Sequence, residues 1–160
     1  MVLSRTPATT RRRNYEILDR NRRFLDPAPA HGECLMERPK IIVLCGSSRF
    51  VDIMAVCAWI IERDEKAITM GLHLLPAWYC KGEIPDHLAE HEGVADEMDV
   101  LHLQKIDLAD EIFVVNYSDY VGLSTANEVN YAKNTGKYIR WFTHDEIGQK
   151  VQEIIDRVIL

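Results

Sequence analysis

Two short apolar runs constrain this chain more than any other feature. Lys40-Ile-Ile-Val-Leu-Cys45 and Ile112-Phe-Val-Val-Asn116 are almost unbroken in hydrophobicity and too short to be packed helices. Continuous apolar character, without alternation, fits strands buried on both faces, the usual state of strands in a parallel sheet. Each run ends in a polar turn containing glycine, and each turn opens into a segment that reads as helix. Strand, turn and helix in repetition imply right-handed crossovers and a sheet covered on both sides. Such folds keep ligands at the carboxyl ends of the strands, so both turns are places to look for chemistry.

The other segments fit the same scheme. Phe50 to Ile61 is strongly apolar, includes Trp59, and reads as a deeply packed helix that Arg63 to Lys66 ends in solvent. Ala67 to Ala77 reads as a second strand with His73 to Pro76 as its apolar end, followed by an aromatic loop from Trp78 to Pro85. Asp86 to about Leu108 reads as helix broken at Gly93, with Met98, Leu101 and Lys105 on one face and Asp99, His102 and Ile106 on another. Ala109 to Asn116 and Lys137 to Phe142 are the third and fourth strands. Asp145 to Leu160 is a closing amphipathic helix with Ile147, Val151, Ile154, Ile155 and Val158 on its stripe. The expected fold class is α/β, a parallel sheet of four to five strands with helices on both faces, over residues 40–160. Residues 1–39 differ, with Arg11, Arg12, Arg13, Arg20, Arg22 and Arg23 ahead of a proline-containing piece from Asp26 to Gly32. They read as a basic arm or linker, either a loose extension or a contact for a partner.

Composition removes several classes. The formal net charge of −6 argues against a general nucleic-acid binder. No apolar run approaches the roughly 18 residues a membrane span needs, so no membrane partner is expected. The four cysteines, Cys34, Cys45, Cys57 and Cys80, form no C-x-x-C pair and no Cys/His zinc spacing. Cys45 in its strand and Cys57 in its helix read as small core residues. No signal-peptide pattern is present, and the cytoplasm is the expected compartment.

The turn Gly46-Ser47-Ser48-Arg49 has two readings. It is a helix cap, or an anion site in which backbone N–H groups, the serines and Arg49 meet a phosphate or carboxylate. Glu128 also has two. Thr125-x-x-Glu128 fits a capping box, in which the glutamate only ties down the helix start. Alternatively Glu128 is a nucleophilic carboxylate on the first turn of its helix, held by Asn127 or Asn130. Ala126, Val129, Ala132 and Gly136 form the small stripe that seats this helix on the sheet. Asp99 and His102 face one way and either can serve as a proton donor, while Asp107 and Asp110 fit capping at the helix-to-strand turn. Trp78, Tyr79, Tyr117 and Tyr120 either stack on a base or fill the loop core.

Four stretches carry a family resemblance by their order along the chain: Leu44-Cys-Gly-Ser-Ser-Arg49, Leu108-Ala-Asp-Glu-Ile-Phe-Val-Val115, Gly122-Leu-Ser-Thr-Ala-Asn-Glu-Val-Asn-Tyr-Ala132 and Gly136-Lys-Tyr-Ile139. Together they resemble the nucleoside 2-deoxyribosyltransferase-like superfamily, which includes nucleoside deoxyribosyltransferases and nucleoside 5'-monophosphate N-glycosidases. The resemblance covers about Lys40 to Phe142. It implies a flavodoxin-like Rossmann architecture and a homo-oligomer whose neighbours complete the pocket. It also implies an enzyme that cleaves the N-glycosidic bond of a nucleoside or nucleoside 5'-monophosphate, by hydrolysis or base transfer.

In that frame Glu128 is the nucleophile that forms a glycosyl-enzyme, and His102 or Asp99 is the acid. Gly46, Ser47, Ser48 and Arg49 anchor the sugar or its 5' group with help from Ser124, and Asn127 and Tyr120 join them as substrate-binding residues. No metal or cofactor is required. The chain departs from the family at Gly122, where relatives carry an aspartate or serine, and at His102, near which relatives carry an acid. Those departures motivate an alternative, a non-catalytic nucleotide-binding or sensing domain.

Overall fold

The computed structural model describes residues 38–73, 75, 79 and 88–159. The expected arm, apart from Arg38 and Pro39, lies outside the described residues, as do Pro76, Trp78 and residues 80–87. Arg38–Leu160 forms one compact unit. Its centre is β1, Ile41–Gly46, whose residues beyond the first are all buried. Ile42 and Leu44 enter the core on one side of the sheet, Val43 and Cys45 the core on the other. β3, Glu111–Val115, is buried throughout and pairs with β1 from Ile42 opposite Glu111 to Gly46 opposite Val115. β2, Ile68–Met70, and β4, Tyr138–Trp141, are the edges. The order is β2-β1-β3-β4 and every pairing is parallel, a four-stranded flavodoxin-like arrangement.

Two helices cover each face. α1, Val51–Glu65, and α5, Glu146–Ile159, pack against Ile42, Leu44, Phe113 and Val115. On the other face α3, Ala95–Leu108, and α4, Leu123–Asn134, pack Ile106, Val129 and Ala132 against Val43, Cys45, Ile112 and Val114. A short helix α2, Leu88–Glu92, precedes α3, and the break falls at Gly93 with φ of 73°. Gly136 at φ 72° closes α4, where Lys137 N–H donates to the Ala132 carbonyl.

Several boundaries differ from the sequence reading, each for a local reason. β2 stops at Met70 and does not extend through His73, because the chain leaves the sheet edge at Gly71, whose carbonyl accepts from Lys105 Nζ at 2.9 Å. α1 is buried along one side only, through Met54, Cys57, Ile60 and Ile61, and Trp59 is 63% exposed. The α5 stripe is narrower than expected: Ile147 and Val151 are buried and Ile155 packs beside them, but Ile154 and Val158 are exposed. Gly136 is exposed at the end of α4 and not part of its inward stripe. No helix of the described residues is long and apolar enough to cross a membrane.

One polar junction ties four elements together on the α1–α5 side. Arg140 of β4 donates to both carboxylate oxygens of Glu65 (2.9 and 2.8 Å) and of Asp145 (2.9 and 2.9 Å), and to Glu111 at 3.0 Å. Burial alone would lower the Arg140 pKa, but these hydrogen bonds outweigh it and hold the guanidinium charged. The chain thus satisfies a nearly buried cation with carboxylates from α1, β3 and the start of α5.

Candidate active site

The chain leaves β1 toward β2 and leaves β3 toward β4, in opposite directions across the sheet. A crevice opens where such paths diverge, outside the carboxyl ends of the two central strands. A cleft of about 330 Å³ lies there, lined by Gly46, Ser47, Ser48 and Arg49 after β1, by Tyr120 to Thr125 except Val121 after β3, and by Asp99, His102 and Glu128. A more apolar hollow of about 210 Å³ adjoins it and shares Ser48, Leu72, Ala89, Glu90, Met98 and His102.

The first turn begins with Ser47 as cap of a short 3-10 turn, its Oγ accepting from Arg49 N–H at 3.4 Å. A Cβ at position 46 would sit 3.2 Å from the Val115 carbonyl, so the tight passage between strands suits glycine. Arg49 extends its guanidinium 5.3 Å from the Tyr120 ring centre, and Tyr120 meets Phe50 edge-on at 6.0 Å. Tyr117 packs against Phe50 and Phe142 and fills the loop core. Tyr79 donates to Glu92 at 3.4 Å, and Trp78 lies outside the described residues.

α4 overturns the capping-box reading. Gly122 is the N-cap, and the Ala126 amide donates to its carbonyl at 2.9 Å. The helix therefore starts a turn earlier than expected, Thr125 is buried inside it, and Glu128 stands in its second turn and not its first. Freed from capping, Glu128 is 7% exposed and points to β1 and α3. Its Oε1 lies 3.7 Å from His102 Nε2, and that nitrogen lies 3.6 Å from Cys45 Sγ. Asn127 and Asn130 are exposed and do not line the cleft, so they do not hold Glu128.

The electrostatics follow from burial. Desolvation pushes the Glu128 carboxyl up to about 8; the Cys45 thiol works against that shift and Asp99 adds to it. Desolvation, reinforced by Lys105 and His73, lowers His102 to about 4. Cys45 is held well above the ordinary thiol range, chiefly by burial and then by Glu128. At neutral pH the His102–Glu128 contact is thus a neutral imidazole beside a carboxylic acid, and not an ion pair. At 3.7 Å it is also longer than a hydrogen bond. His102 Nδ1 and Glu128 Oε2 are buried without a hydrogen-bond partner among the described residues. Asp99 is exposed on the cleft wall, and partial burial with Asp96 and Glu90 nearby raises its pKa.

The fold thus brings Gly46, Ser47, Ser48, Arg49, Asp99, His102, Tyr120, Ser124 and Glu128 to one cleft and leaves Asn127 outside it. Asp110 and Asp107 serve the far end of the sheet: Asp110 binds Arg38 and the Ile41 amide, and Asp107 accepts from Tyr131 at 2.8 Å. The sequence reading missed Cys45 as a site residue. It is separated from His102 by 57 positions, a spacing that no linear motif encodes.

Together these features define a flavodoxin-like α/β domain with a buried acid, imidazole and thiol beside a cleft at the carboxyl edge of its sheet. Compared with protein-family models, curated proteins and solved structures, the chain has no match.

Proposed function

We propose that this chain cleaves the N-glycosidic bond of a nucleoside or nucleoside 5'-monophosphate, with Glu128 as nucleophile. The observation that carries the reading is the placement of Glu128, a buried carboxyl freed from capping, on the floor of the cleft beside the Gly46–Arg49 turn. The cleft's polar wall, with Arg49 and Ser124, suits a sugar and its 5' group, and the adjoining apolar hollow suits a planar base.

In this mechanism a Glu128 oxygen bonds to the anomeric carbon as the carbon–nitrogen bond breaks. The departing base takes its electron pair and a proton from an acid, and water or a second base then displaces the carboxylate. Asp99 suits the acid better than His102, because its pKa is raised while His102 is neutral. His102 then packs beside Glu128 and helps to keep its carboxyl out of water. The positive charge that develops on the sugar favours the ionised carboxylate, opposing the burial that keeps it neutral in the free protein.

A chromatographic screen for free base, across nucleosides and 5'-monophosphates with and without an acceptor base, tests this directly. Glu128→Gln should lower base release by at least about 10³-fold with the fold intact; undiminished release would remove Glu128 from the chemistry. A second reading has its own observation: a carboxyl held neutral, on a helix whose cap, Gly122, offers no side chain to the substrate. A nucleotide-sensing domain would bind nucleotide saturably and never release base. The homo-oligomer belongs to this proposal too. Leu123, 81% exposed beside the cleft, is placed for a second copy to cover, and sedimentation equilibrium reports the state.

A further inference from the structure

Cys45, His102 and Glu128 come from three elements and converge on one point. Their ligand-type atoms, one from each residue, all lie within 4.8 Å of one another, and all three residues are buried. A tetrahedral zinc ion with one sulfur, one nitrogen and one oxygen ligand holds those atoms about 3.4–3.6 Å apart, given its usual bond lengths. The Cys45–His102 separation of 3.6 Å falls in that span, and the His102–Glu128 separation of 3.7 Å is slightly wider than it. The third, Cys45 to Glu128, lies within 4.8 Å. Glu128 Oε2, buried without a hydrogen-bond partner among the described residues, leaves one carboxylate oxygen with acceptor capacity for an ion.

We propose that Cys45 Sγ, His102 Nε2 and the Glu128 carboxylate form a site for a divalent transition-metal ion of the zinc type, and that an ion bound there silences Glu128. The donor set of thiolate, imidazole and carboxylate selects zinc-like ions over magnesium or calcium, which take oxygen ligands. On binding, the Cys45 thiol proton leaves to solvent as the sulfur–metal bond forms, and any proton on Glu128 leaves as its oxygen–metal bond forms. Three protein ligands leave the fourth tetrahedral corner to water or to a solute from the cleft. His102 Nδ1 has no hydrogen-bond partner among the described residues, so the imidazole is positioned by packing. The affinity should therefore fall about 10–100-fold short of a site with a complete outer shell. The silencing half rests on the nucleophile reading above: an oxygen committed to a metal cannot attack the anomeric carbon.

Cobalt(II) is the probe, titrated alone into chelator-treated full-length protein. The expected result is a thiolate-to-cobalt charge-transfer band in the near ultraviolet, with visible bands of tetrahedral intensity, saturating at one equivalent and displaced by zinc. The band should persist in a Cys34→Ser/Cys57→Ala/Cys80→Ser variant and vanish in Cys45→Ala. Glu128→Gln, which keeps the side-chain volume, should weaken cobalt binding at least tenfold. Circular dichroism confirms folding, and Cys45→Ser replaces Cys45→Ala if the latter does not fold. No band in the wild type, or a band that survives loss of Cys45, overturns the site. Base release is read separately: zinc should lower it at least tenfold and a chelator should restore it. A cobalt band with zinc-independent base release overturns the silencing and upholds the site. A cobalt band with no base release from any nucleoside or nucleotide in metal-free protein upholds the site and overturns the glycosidic reading.

Discussion

Glu128 is well placed for attack and, in the free protein, in the wrong protonation state for it. Its folded pKa of about 8 means that only a minor fraction is ionised at neutral pH. If it is the nucleophile, kcat/KM of metal-free protein for a substrate whose leaving group needs no protonation should rise about tenfold per pH unit below that value and level off above it. A profile flat from pH 6 to 9 would mean that the ionisation of Glu128 does not govern the reaction. Glu128 also shows what a sequence can and cannot disclose. Its position after an apolar run marked it as interesting, but Thr125-x-x-Glu128 matched a capping box closely enough to offer a bland account. The difference was made by Gly122 and Leu123, which start α4 a turn earlier and carry Thr125 into the core. Cys45 was read as a small core residue, and it is one, 0% exposed. What the sequence hid is that its core neighbours are His102 and Glu128, a juxtaposition made only by packing α3 and α4 on the same face.

Among the elements, α5 depends on its first turn. Asp145 accepts from the Ile147 amide at 2.9 Å and from Arg140, joining the helix start to β4. Burial works to raise the Asp145 pKa, but Arg140 and the Ile147 amide outweigh it and hold the carboxyl below its usual range. A carboxylate depressed in the folded state contributes stability above its unfolded pKa of about 3.9, and that contribution is lost as pH falls through the folded value. Asp145→Asn should therefore lower Tm at pH 7 and cost progressively less below about pH 4. Equal losses at both pH values would exclude a charge-based role. Gly148 tests the same helix sterically. A Cβ there would overlap the Phe142 carbonyl oxygen, which is backbone and cannot rotate away. Gly148→Ala should cost about 3 kcal/mol in urea unfolding, and a loss under 0.5 kcal/mol would mean that α5 shifts freely. None of this junction was legible beforehand: the amphipathic pattern of α5 was, but Arg140, Glu65 and Asp145 are ordinary surface residues until the fold joins them.

For the whole molecule, the alternation of runs and turns was enough to read a parallel α/β sheet, because strands buried on both faces leave a sequence signature that little else imitates. The edges were less legible. β2 has three residues, and an edge strand that short has no continuous pattern to read. The central pair has a consequence for motion. β1 and β3 are joined along five residue pairs, yet their partners are about 70 positions apart in the chain, as Ile42 opposite Glu111 shows. Both strands are buried almost throughout, so this contact should be among the last to open under native conditions. Cys45 sits inside it as a clock. An alkylating reagent can reach that thiol only through an opening of the central pair, so its labelling rate, read by peptide mass spectrometry, should fall with the global unfolding equilibrium and accelerate with urea at the slope of complete unfolding. A shallower slope would reveal a partial opening that bares the cleft floor while the α1–α5 face stays shut.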